Sequence, residues 1–201
     1  PTDATAAVVN VAAVGPSGPG FVTVYPCSDS VPTASTLNFV AGQTVANTAI
    51  AALSASGQVC IYTQTATDII VDVTGWLGKG SGSKFNALGP SRVMDTRTGQ
   101  GGATRLPAGG TVQVDLSSLP SNTTAVALNV TSVAASGPGF ATVYPCASGR
   151  PPTSTINFVA GSPRPNNTIV GVSGGVCIYS MTSTEIIVDL VGYFAPTGLS
   201  Y

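Results

Sequence analysis

The chain has 201 residues, 43% apolar and only 7% charged, with a net charge of −1 and a mean hydropathy of +0.37. That length suits one large domain or two of about 100 residues, with enough apolar side chains for a sizeable core. Seven Lys and Arg spread along the chain form no basic patch, which argues against nucleic acid as a partner. No apolar run approaches the ~20 residues of a membrane span. The quiet surface repels its own copies weakly. The opening Pro1-Thr2-Asp3-Ala4 has neither a basic n-region nor an apolar h-region, so the chain reads as a mature or trimmed product.

Taken in order, the sequence predicts short β-rich runs near Ala6–Val14, Phe21–Cys27, Thr36–Val40, Thr48–Leu53, Val59–Thr63 and Asp68–Val73, separated by Gly, Pro, Ser or Asn. A linker, Gly78-Lys79-Gly80-Ser81-Gly82-Ser83, follows. The next stretch contains a short strand at Arg92–Asp95 and another at Thr111–Leu116. The first six runs then return. AAVVNVAAVGPSGPGFVTVYPC, STLNFVAG and VCIYTQTATDIIVDVTGWL reappear as AVALNVTSVAASGPGFATVYPC, STINFVAG and VCIYSMTSTEIIVDLVGYF. Cys27 matches Cys146, Asn38 matches Asn157, and Asp72 matches Asp189. Agreement this long means the two copies share a fold. No window carries a helical apolar stripe, and β-branched residues dominate. The expected fold is all-β: two tandem antiparallel sandwich- or barrel-like domains, each with one disulfide. The expected boundaries are 1–77 for the first domain, 78–84 for the linker and 85–201 for the second, whose front segment 85–124 occurs once.

The repeat also pairs the cysteines. Each copy holds two at matching places, so each closes itself, as Cys27–Cys60 and Cys146–Cys177. A metal site is disfavoured, because there is no His and no CxxC spacing. Disulfides with no cysteine left over point to a secreted or extracellular location.

Catalytic chemistry is not evident. Without His there is no Ser-His-Asp or Cys-His system. Lys79 and Lys84 lie in the linker, and the acids recur mostly one per copy, which suits structure better than a single active site. The expectation is a non-enzyme without cofactor or metal. Asp72 in IIVDVTGW and Asp189 in IIVDLVGY interrupt apolar strands, so each carboxylate is expected to be at least partly buried and to need a cation. Arg92-Val-Met-Asp95-Thr-Arg97 is the densest charge cluster. These five residues (Arg92, Asp95, Arg97, Asp72 and Asp189) are read as structural ion pairs, one arginine on Asp189 and the other reaching Asp72. A polar ligand site is the alternative. Among the aromatics, Phe21, Tyr25 and Trp76 match Phe140, Tyr144 and Tyr193. They serve either as core packing or as a platform for a ligand or interface, and alternation does not decide which face is inside.

These motifs together, with FNALGPSRVMDTRTG ahead of the second copy, resemble a repeat module common in secreted proteins of actinobacteria. The RVxDTRxG motif lies at Arg92–Gly99 and DVxGYF at Asp189–Phe194. Copy 1 departs with Asp72-Val-Thr-Gly-Trp-Leu77, and it lacks RVxDTR at its front. The resemblance implies tandem modules on surface proteins or appended to extracellular hydrolases, and no defined activity.

Two functions are weighed: an extracellular structural or adhesive protein that self-associates into a surface assembly or filament, and a carbohydrate- or cell-wall-binding accessory module of a secreted hydrolase. The corresponding partners are copies of the chain, joined head to tail, or cell-surface polysaccharide. Counting favours the first. Two copies share one intervening segment, so copy 1 is expected to have an unfilled sheet edge, which invites another chain. The tail Ala195–Tyr201 is a candidate donor strand. Alternatively, the segment bridges both copies, or the counterpart for copy 1 lies ahead of Pro1.

Overall fold

The computed structural model describes residues 1–27, 30–80 and 82–196. Asp29 and the tail from Thr197 to Tyr201, including most of the candidate donor strand, lie outside the described residues. The chain divides into two compact units, Pro1–Gly80 and Ser81–Tyr201.

Unit 1 contains β1 (Ala4–Val14), β2 (Gly20–Pro26), β3 (Leu37–Phe39), β4 (Val45–Ala52), β5 (Val59–Thr63) and β6 (Asp68–Gly78). They form two antiparallel three-stranded sheets, ordered β4-β1-β6 and β3-β2-β5. Val9 and Val11 of β1, Val22 of β2, and Leu37 and Phe39 of β3 make the core between them.

Unit 2 contains β7 (Lys84–Asp95), β8 (Thr111–Val114), β9 (Ala125–Val133), β10 (Gly139–Pro145), β11 (Ile156–Phe158), β12 (Arg164–Gly171), β13 (Val176–Ser180) and β14 (Glu185–Ala195). A single 3-10 turn, Cys146–Ser148, is the one helical element among the described residues. The sheets have the same order as in unit 1, each with one strand added at one edge: β12-β9-β14-β7 and β11-β10-β13-β8. The all-β, two-disulfide architecture expected from the repeat is therefore the fold.

Several strands differ from the sequence expectation. The strand expected at Asp68–Val73 runs on to Gly78, and the four-residue strand at Arg92–Asp95 becomes the twelve residues of β7. The cause of the second difference is tertiary. β7 pairs along β14 from Ala195↔Lys84 to Ile187↔Asp95, with a register shift between Leu190 and Gly192 that takes up Gly89 and Pro90. Proline is tolerated there because β7 is an edge strand and the ladder is locally interrupted.

Thr36 and Thr155 of the STLNFVAG and STINFVAG motifs, with Asn47 of β4 and Asn166 of β12, hold the short β3 and β11 in place. Asn47 Nδ2 donates to the Thr36 carbonyl at 2.7 Å, and Asn166 Nδ2 to the Thr155 carbonyl at 2.6 Å. The Val24 and Val143 amides donate to the Thr36 and Thr155 hydroxyls, each at 3.0 Å. Thr155 and Asn166 are buried and Thr36 and Asn47 half-buried, and polar groups withdrawn from water need such partners.

Candidate interaction surface

Both disulfides join the end of one strand to its sheet neighbour. Cys27 follows β2 and bonds Cys60 of β5, with Cα atoms 4.8 Å apart. Cys146 follows β10 and bonds Cys177 of β13, at 5.1 Å. No free cysteine and no metal-ligating cluster occur among the described residues.

The front segment, residues 84–119, supplies unit 2 with material that unit 1 lacks. Met94, Ala103, Leu106 and Val114 are all buried in the core of unit 2. Thr96 extends the backbone pairing: its amide donates to the Ile186 carbonyl at 3.0 Å, and its hydroxyl accepts from the Ile186 amide at 2.9 Å. Leu106 and Thr184 exchange backbone hydrogen bonds in both directions. The consequence shows on the strand that carries the repeat aspartate. Val188 and Leu190 of β14 are 0% and 2% exposed, whereas their counterparts Val71 and Val73 on β6 are 40% and 72% exposed. Trp76 and Ile70 are exposed on the same strand, and β6 and β5 are both sheet edges.

The charge cluster is built into this front segment. Arg92 Nε donates to Asp189 Oδ1 at 2.9 Å, and its Nη1 reaches Asp95 Oδ2 at 3.3 Å. Arg97 grips Asp95 through Nε at 2.9 Å and Nη2 at 2.7 Å, and its backbone amide donates to the same carboxylate at 3.1 Å. Arg105 ties the segment to Glu185 at 3.2 Å and to the Ala134 carbonyl at 2.6 Å. Asp189 thus receives an arginine. The expectation that the second arginine reaches Asp72 is corrected. Arg97 is held by Asp95, two residues away, and Asp72 has no ion pair among the described residues. Partial burial without a cation pushes the Asp72 carboxyl above its ordinary value. In the Arg92–Asp189 pair the carboxylate side chain is partly buried, 23% exposed, and the arginine side chain is 41% exposed.

Asp95 is the buried member of the cluster. Hydrogen bonds from Arg97 hold its carboxyl at about 2, below the ordinary 3.8, against the opposing effect of burial. A carboxyl depressed by folding favours the folded state when ionised. Its contribution is complete above the ordinary value and is lost as pH falls from about 4 to about 2. Asp95→Asn should therefore flatten the acid limb of the unit 2 melting profile over that window. A variant that loses stability as steeply as the parent would contradict this role.

A glycine marks where the front segment presses closest. A Cβ at Gly192 would run into the ring of Phe85, while at its counterpart Gly75 the nearest atom is Val8 Cγ2 at 3.9 Å. Gly192→Ala should cost unit 2 about 1–3 kcal/mol by forcing β7 outward, whereas Gly75→Ala should leave the melting of unit 1 unchanged. Equal effects in a calorimetric comparison would refute the asymmetry. The glycine is shared by both copies inside a strand, a signal of close approach that the sequence carried. Met94 and Arg105 had no such signal.

The aromatics divide. Tyr144 is buried, and Tyr25 and Tyr193 are half-buried. Phe21 packs on Tyr62 with centroids 5.9 Å apart, and Phe140 on Tyr179 at 6.1 Å, with Arg150 stacked over Tyr179 at 4.2 Å. Trp76 is the one of the six singled out in the sequence that stands mainly in solvent. Comparison with known proteins finds no matching family model, no similar curated protein and no similar solved structure.

Proposed function

We propose that the chain is a non-enzymatic structural repeat protein of the cell exterior that self-associates through the open sheet edges of unit 1. One observation carries this reading: the apolar residues of β6 lie exposed along an edge strand at the places that β7 and the loop after it cover in unit 2. An unpaired edge presents a row of backbone donors and acceptors, and an apolar strip beside it adds a driving force for burial. A surface with few charges opposes such contacts weakly. The two intra-unit disulfides accord with an extracellular setting. A heterologous contact of this kind need not close into a ring, so it can extend into a filament.

Light scattering coupled to size exclusion, run over a wide concentration range with negative-stain imaging, should find species that grow with concentration. Val73→Lys, which places a charge on the exposed strip, should reduce them. A strictly monomeric protein that is retained on insoluble polysaccharide would overturn the reading in favour of a carbohydrate-binding module.

A further inference from the structure

We propose that the open face of unit 1 is a seat for a second polypeptide segment with the chemistry of residues 84–119. The inference rests on the same open edge of β6 as the assembly reading above and gives that edge a complementary segment, in place of a second copy, as its occupant. Unit 2 is the template. In its register Arg92 lies opposite Asp189, Ala87 opposite Gly192, and Lys84 opposite Ala195. The matching positions on β6 are Asp72, Gly75 and Gly78, so an incoming strand can lie antiparallel along β6 in the same register.

Four features of the seat remain without their complement. Among the described residues Asp72 has no ion pair, although its counterpart Asp189 holds Arg92. Asp68, the counterpart of Glu185, likewise has none, although Glu185 holds Arg105. Gly75 leaves open the space that Phe85 fills over Gly192. Val71 and Val73 lie exposed where their counterparts are buried in the core that Met94 helps to form. The charge also matches. The segment carries Lys84, Arg92, Arg97 and Arg105 against Asp95 and Asp115, while residues 1–80 carry Asp3, Asp29, Asp68 and Asp72 against Lys79. Opposite net charges on two polypeptides speed and orient their association.

Exchange of the chain's own segment is not the answer, because it would open unit 2 as it closed unit 1. Residues 1–201 hold two such seats and one such segment, so the seat on unit 1 takes a segment other than residues 84–119 of its own molecule. Strand addition with pockets for alternate side chains is an established mode of peptide recognition.

The test adds a synthetic peptide of residues 84–119 to the intact protein. Trp76, the only tryptophan in the chain, stands on β6 and reports directly. Saturable one-to-one binding with a blue-shifted emission is expected. Gly75→Ala should weaken binding at least ten-fold by denying space to the Phe85 ring, and so should an Arg92→Glu substitution in the peptide. Asp72→Arg in the protein should restore binding of the Arg92→Glu peptide. As an independent measurement, fusing residues 84–119 directly ahead of Pro1 should raise the melting temperature of unit 1 and blue-shift Trp76. The proposal is overturned if neither the peptide nor the fusion alters Trp76, or if the peptide binds equally well to the parent and to Gly75→Ala. Self-association measured without peptide separates the two readings. Peptide binding by a monomer keeps the seat and removes the assembly reading. Assembly that the peptide neither joins nor blocks keeps assembly and removes the seat.

Discussion

Met94→Ala should destabilise unit 2 by about 2–5 kcal/mol, the range for truncating a large apolar side chain in a packed core. Met94 is fully buried, on the strand that closes the sheet edge, among Leu106, Val114, Val188 and Leu190. Truncation leaves a cavity beside the join between the front segment and the body of the unit. Among the described residues the segment adds strands at the sheet edges of unit 2 that unit 1 lacks, so its neighbours can relax outward into solvent. The variant should therefore lose amide-exchange protection first along β7 and at Thr96 and Leu106. Calorimetry should show the unit 2 transition moving down while the signal of Trp76, on β6 of unit 1, stays put. A loss below about 1 kcal/mol, less than core truncation costs, would mean that the segment is not part of the folding unit.

Reduction of both disulfides should unfold unit 1 before unit 2. The bridges span 33 and 31 residues, so in the chain-entropy description they contribute nearly equally, about 3–4 kcal/mol each. The same loss falls on unequal folds. Unit 1 has 80 residues and a core without equivalents of Met94, Leu106 and Val114. Domains this small have little core stability to spare. Amide exchange at neutral pH in the presence of reductant should show β1, β2 and β5 losing protection while β9, β10 and β13 keep it. Cys60→Ala should reproduce the effect more strongly than Cys177→Ala. Simultaneous unfolding, or unit 2 unfolding first, would show that the front segment adds no net stability.

Much of this protein was legible before any coordinates, because a repeat is evidence of unusual strength. The match between VTVYPC and ATVYPC, and between VCIYT and VCIYS, determined the cysteine pairing, since two identical folds close identical loops. Alternation and β-branched runs marked most strands, because side-chain period and backbone preference are local properties. The count of two copies against one front segment pointed to an incomplete first unit. What the sequence did not determine was the partner of each charge. Asp95 lies two residues from Arg97, and a turn brings their side chains together at a cost in chain entropy smaller than any distant pairing. That left Asp72 without a cation, which no reading of composition or spacing distinguishes from Asp189. The length of β7 was also a tertiary outcome. Gly89 and Pro90 argue locally against a strand, and pairing with β14, about a hundred residues away in sequence, overrides them. Burial was decided in the same way. Val71 and Val188 sit in nearly identical sequence, yet one is exposed and the other is not, because burial belongs to the neighbouring strand and only unit 2 has one there.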